Sequence, residues 1–156
     1  EYVKYDLSNQ DLGEANLQGA YMSVTTAKNS SFKGANMKDL IAYATRFDNA
    51  DFSDANLTNG ELMKSVFDGA TIDGADFTNA NLDLKTRKSL CERASGTNSQ
   101  TGVDTFESLE CAGLKGYMPP NFLKPILFIT VFNVFFSKLM QLVGGNLGHL
   151  FFENLY

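Results

Sequence analysis

The sequence predicts a mainly β fold: a solenoid of about four square coils, closed by two short C-terminal α-helices and followed by an atypical apolar tail. Three observations predict it. A large apolar residue recurs at almost every fifth position from Leu7 to Leu82, and a small residue usually stands two positions before it. The period stops at Leu82, where helix-forming residues take over.

The recurring positions are Leu7, Leu12, Leu17, Met22, Ala27, Phe32, Met37, Ala42, Phe47, Phe52, Leu57, Leu62, Phe67, Ile72, Phe77 and Leu82, sixteen registers without an insertion. An amphipathic helix needs apolar residues at i, i+3, i+4 and i+7, and a half-buried strand needs them at every second position; strict fives satisfy neither. The chain must therefore turn once per unit. If each unit is one side of a square, the large and small residues point in, the other three point out, and coils stack about 4.8 Å apart. Residues twenty apart then share a column. Leu12/Phe32/Phe52/Ile72 and Leu17/Met37/Leu57/Phe77 are two such core ladders. Where Ala42 leaves space, Leu40 supplies bulk at the small position of the same unit, which keeps core volume roughly constant. Ala27 has only Thr25 beside it, which predicts local looseness. All these positions are assigned to packing rather than to a ligand site.

The units ANLQG, ANMKD, ADFSD, ANLTN, ADFTN and ANLDL, between Ala15 and Leu84, resemble the A(D/N)LXX units of the pentapeptide-repeat family, and the resemblance covers roughly half the chain. It implies a right-handed quadrilateral β-helix over residues 1–84.

Read as faces of that square, the outward positions differ. The side centred on Leu12, Phe32, Phe52 and Ile72 is polar and mixed in charge. The side centred on Met22, Ala42, Leu62 and Leu82 presents Tyr21, Ile41, Tyr43 and Met63, an apolar patch of the kind that proteins cover or use. These four residues are the candidate interaction patch.

After the repeats, Asp83 to Ala94 reads as a helix that Gly96 ends, and Asp104 to Ala112 as a second, with Asp104 and Glu107 at capping-box spacing. Repeat proteins need such a cap, because a terminal coil exposes backbone edges and core side chains. Leu84, Leu90, Val103, Phe106 and Leu109 are expected to face the end of the solenoid. The cap spans 85–115, and Cys91 and Cys111 fall one in each expected helix. The residues leave three states open for them: a structural disulfide, a redox-regulated thiol pair, or two buried free thiols. The segment from Leu90 to Cys111 is similar to the one that follows the repeats in thylakoid-lumen pentapeptide-repeat proteins of plants and cyanobacteria. It departs from that pattern at Phe106, where a basic residue is common. The resemblance implies a bridge between Cys91 and Cys111 and the oxidising lumen as compartment. The chain opens Glu1-Tyr2-Val3 without an initiator Met, in keeping with a targeting segment removed before it.

Residues 116–156 form the apolar tail, read as helical or poorly ordered. Only thirteen residues separate Lys124 from Lys138, short of the ~20 a bilayer span requires, so residues 122–143 are a candidate for membrane-surface contact instead.

The 156-residue chain carries a formal charge of -5. The acidity belongs to the repeats, where twelve acidic residues face six basic ones up to Leu82. That balance argues against nucleic acid as a partner. A gyrase-binding DNA mimic, a role some pentapeptide-repeat proteins fill, suits the net charge, but Lys28, Lys33, Lys38, Arg46 and Lys64 interrupt the acidic runs. One histidine, His149, and two cysteines leave no set of ligands for a zinc site, and no base, nucleophile and orienting partner come together for catalysis. The expectation is a non-catalytic interaction or scaffold module of the thylakoid lumen that binds an unknown protein partner and takes no cofactor, metal or small-molecule substrate. The alternative is a redox-responsive lumen protein controlled by Cys91 and Cys111.

Overall fold

The computed structural model describes residues 4–114. Within them each five-residue unit forms one side of a coil in the same way. The residue before each centre from Leu7 to Leu62 makes a parallel bridge to the residue twenty positions on, as in Asp11↔Ser31, Asn36↔Asn56 and Glu61↔Asn81. The centre points inward, and the next two residues turn the corner. The turn is closed by the amide three residues after the centre, for example Ala35 N to Phe32 O at 3.0 Å and Ala80 N to Phe77 O at 2.8 Å. Two of five residues are thus spent on a corner, so the β pairing is a stack of single bridges rather than extended strands.

The corner explains the polar composition of the repeat. Its third residue lies in the left-handed region, with φ of 61° at Asn9, 59° at Asp39 and 65° at Gly34. Type II turns require that conformation, and Gly, Asn and Asp adopt it most readily. Val24, at φ 62°, is a β-branched residue held where such residues are outliers. Asn side chains also link successive corners: Asn29 Nδ2 donates to Asn9 Oδ1 at 3.2 Å, and Asn49 Nδ2 to Asn29 Oδ1 at 3.4 Å.

The core is a column of interleaved rings and aliphatic chains. Phe32 and Phe52 stack at 5.1 Å, and Phe47 meets Phe52 edge-on at the same centroid distance. Met37, Leu57, Ile72 and Phe77 are buried with them. Leu12 and Leu17 are half-buried, because among the described residues only the following coil covers them. Leu40 and Ala42 are both buried, the bulk of one beside the small size of the other. Ala27 is fully buried, and next to it the hydroxyl of buried Thr25 has no hydrogen-bond partner among the described residues.

After Leu82 the chain forms α1 (Leu84–Cys91), α2 (Thr105–Ser108) and a 3-10 turn (Cys111–Gly113). Both helices are shorter than their sequence suggests, and the 84/85 boundary falls inside α1. Asp83 caps α1 by accepting from Thr86 N at 3.0 Å. Asp104 caps α2 by accepting from Phe106 N at 2.8 Å and Glu107 N at 3.3 Å. Leu84 does not face the solenoid: it is 55 % exposed, because α1 buries its C-terminal end, Leu90 and Cys91, instead of its first turn. Leu90 and Leu109 are buried, and Phe106 packs against the core.

Candidate interaction surface

Two parts of the structure could carry function: the apolar side of the solenoid, and the segment that closes its C-terminal end. On the apolar side, the ladder Tyr21↔Ile41↔Glu61↔Asn81 runs along the stack. Tyr21, Ile41 and Tyr43 are 59 %, 41 % and 42 % exposed, and Met63 is half-buried beside them. Tyr43 is fixed from below, its amide donating to Ser23 Oγ at 3.2 Å. Lys64 Nζ stands 5.1 Å from the centre of the Tyr43 ring. The adjacent Tyr43 side chain raises the Lys64 ammonium above the ordinary lysine value. At the far end, Asn81 Nδ2 donates to Glu61 Oε2 at 2.8 Å. The result is a flat aromatic and aliphatic strip with one cation over it and one carboxylate tied down.

The other sides are polar. Arg46 holds Asp48 in a two-pronged contact at 3.0 and 2.7 Å, and that hydrogen bonding lowers the Asp48 carboxyl and raises the Arg46 guanidinium. A cleft of about 500 Å³ lies between Glu14, Lys33 and Asp54 on the coils and Ser99 and Gln100 beyond them.

The closing segment replaces the coil that does not follow. Arg93 donates from Nη2 to Phe67 O at 2.6 Å and from Nε to Ala70 O at 3.1 Å. Burial pushes its guanidinium below the ordinary arginine value. Ser108 Oγ accepts from Phe77 N at 3.0 Å, and Ser95 O from Gly74 N at 2.8 Å. Asn98 Nδ2 reaches Gly74 O at 2.8 Å and Asp54 O at 3.1 Å, and Gln100 Nε2 reaches Gly34 O at 3.0 Å. The loop 97–102 thus runs as a strap along the corner column Gly34, Asp54, Gly74. Gly96 is required where it starts, since a Cβ there would stand 2.8 Å from Gly74 N.

Cys91 and Cys111 are joined in a disulfide with Cα atoms 5.7 Å apart, and both residues are buried. Cys111 begins the 3-10 turn rather than lying in α2. Sequence reasoning missed Arg93, Asn98, Gln100 and Ser108 as anchors. The one available signal was their position in the segment between the two cysteines. His149 and the candidate membrane contact at 122–143 lie outside the described residues.

A parallel solenoid with a twenty-residue coil and a five-residue side defines a repeat protein of the β-helix class. The chain belongs to the pentapeptide-repeat family, whose members fold as right-handed quadrilateral β-helices and are in general non-catalytic structural or interaction modules. The family model matches eight copies over residues 6–39 and 45–83. A pentapeptide-repeat protein of the Arabidopsis thaliana thylakoid lumen is similar in structure, with 30 % identity, a TM-score of 0.52, and coverage of 70 % of this chain and 90 % of that one. One from the cyanobacterium Nostoc shares 26 % identity over 53 % of this chain and 73 % of its own, with a TM-score of 0.29. Another, from the cyanobacterium Cyanothece, shares 17 % over 51 % and 57 %, with a TM-score of 0.31. No curated protein sequence matches the chain.

The interval between the two matched segments, residues 40–44, is the unit Leu40-Ile41-Ala42-Tyr43-Ala44. Its bulk and its small residue are exchanged, and it carries two members of the apolar patch.

Proposed function

We propose that the chain is a non-catalytic protein-interaction or scaffold module of the thylakoid lumen. In this reading about four coils form a rigid rod, the α1 to α2 segment closes it, and the Tyr21, Ile41, Tyr43, Met63 face meets a protein partner. The observation that carries it is the 40–44 unit: the one that departs from the repeat is the one that turns Ile41 and Tyr43 outward. The Arabidopsis lumen protein supports the compartment, and a bridged cysteine pair fits an oxidising one. The disulfide takes a structural role here, since burial of both cysteines weighs against a readily exchanged thiol pair. Exposed Lys33, Arg46 and Lys64 break the continuous negative surface that a DNA-like charge pattern needs. Neither a cofactor nor a small-molecule substrate enters this reading.

The test is site-specific photocrosslinking in intact thylakoids, with the photoreactive residue at Tyr43 and, separately, at Lys33 on the polar side. A discrete adduct from Tyr43 and none from Lys33 is expected, and Ile41→Lys should abolish it without changing the melting temperature. Equal adducts from both positions would overturn the assignment of this face.

A further inference from the structure

Five corners carry Asn at their left-handed third position: Asn9, Asn29, Asn49, Asn59 and Asn79. The next residues are Gln10, Ser30, Ala50, Gly60 and Ala80, so only Asn59 precedes glycine. The reason is packing. Gly60 takes the inward small position, where a Cβ would stand 3.0 Å from Leu57 O and 3.4 Å from Leu62 Cγ. Glycine relieves that crowding and leaves a backbone amide with no side chain to shield it beside the carboxamide of an exposed Asn.

We propose that Asn59 is a deamidation site, which the hydrogen bonds of the folded coil hold closed and local opening of the corner releases. In the reaction, Gly60 N gives its proton to hydroxide and bonds to Asn59 Cγ, the Cγ–Nδ2 bond breaks, and Nδ2 takes a proton back from the water so formed and leaves as ammonia. Water then opens the cyclic imide at either carbonyl, giving aspartate or isoaspartate. Each reacting atom is restrained in the fold. Gly60 N donates to Leu57 O at 3.0 Å, and Asn59 N to Thr78 O at 2.9 Å. Asn59 Nδ2 donates to Asp39 Oδ1 at 2.9 Å, and Asn59 Oδ1 accepts from Asn79 Nδ2 at 3.4 Å. The nucleophile keeps its proton and the carboxamide is held along the stack, so the reaction draws on the population of opened corners.

The product does not restore what is lost. Aspartate at 59 would face Asp39 one coil away with no donor between them, and isoaspartate would add a backbone atom to a side whose length the twenty-residue register fixes. The modification is thus one-way damage to the corner that borders the Ile41 unit.

The test follows the Asn-to-Asp mass shift at all five corners by peptide mapping of the full chain, kept at mildly alkaline pH either folded or in denaturant. In denaturant Asn59 reacts ahead of the other four. In the folded chain its rate is lower by about tenfold or more, the protection a modest opening cost gives. Asp39→Gly and Asn79→Gly, which remove one side-chain restraint each at exposed positions and keep the left-handed corner unstrained, raise the folded rate at Asn59 several-fold with circular dichroism unchanged. Equal rates at Asn59 in folded and denatured chain would overturn the guard, and a rate in denaturant no higher than at Asn29 would overturn the site.

Discussion

Replacing Arg93 tests how the end of the solenoid is closed. Its guanidinium reaches two carbonyls of the last stretch of coil, Phe67 O and Ala70 O, at 2.6 and 3.1 Å. Two hydrogen bonds from a charged donor are worth roughly 1.5–3 kcal/mol each. Two effects reduce that sum. The guanidinium is itself partly desolvated, which lowers its proton affinity. The adjoining cavity of about 150 Å³, lined by Ser65, Asp68, Lys85 and Ser89 among others, has room and polar groups for water to take over the carbonyls. Arg93→Ala is therefore expected to cost about 2 kcal/mol, a fall in melting temperature of roughly 10 °C for a domain of this size. Arg93→Lys should recover less than half, because a single ammonium cannot reproduce the fork that bridges two acceptors. The assay is thermal unfolding by circular dichroism under oxidising conditions, with hydrogen exchange of residues 84–110 as a local readout. A lysine variant that melts with the parent would refute the reasoning, since charge alone would then hold the cap.

Asp83→Ala should weaken α1 by about 1 kcal/mol, the usual cost of removing an N-cap side chain. The Thr86 amide bond holds the Asp83 carboxyl below its ordinary value. Its contribution is thus complete above the unfolded carboxylate pKa, about 3.9, and fades as pH falls through the folded value. Urea titrations of parent and variant should diverge at neutral pH and converge in acid. Leu57→Ala, at a fully buried position in the middle of the stack, should cost about 3 kcal/mol in denaturant unfolding. Replacing Cys91 and Cys111 together by Ala opens a loop with a sequence separation of 20, and denaturant unfolding should show a loss of about 3 kcal/mol. A loss well under 1 kcal/mol would mean that the strap and Arg93 hold the cap unaided.

The repeat was legible because a five-residue period is a direct image of the coil: each side repeats the same local problem, and the solution is written in adjacent residues. The exchange at Leu40 and Ala42 could be read for the same reason, as a volume moved two positions along the chain. The outward placement of Tyr21, Ile41 and Tyr43 follows once the register is known. What could not be read depends on contacts between distant parts of the chain. Arg93 bonds to a carbonyl 26 residues away and Gln100 to one 66 residues away, and neither has a local pattern to announce it. Leu84 was misplaced because apolarity alone does not say which end of a short helix meets the core. The helix limits were overdrawn because Glu92 to Ala94 keep helix-forming composition after the chain has turned toward the Arg93 contacts.

The strap along Gly34, Asp54 and Gly74 has a mechanical consequence. A stack held only by neighbour-to-neighbour bridges would yield to tension one coil at a time, starting at a free end. Here Asn98 and Gln100 fasten the closing segment to corners up to 40 residues apart in sequence, Gly34 to Gly74. Tension on the C-terminal end is thereby shared among several layers at once. Drawn out from its ends, such a rod would first shed the coil before Gly34, which the strap does not reach, and then hold the remaining layers until the strap tears.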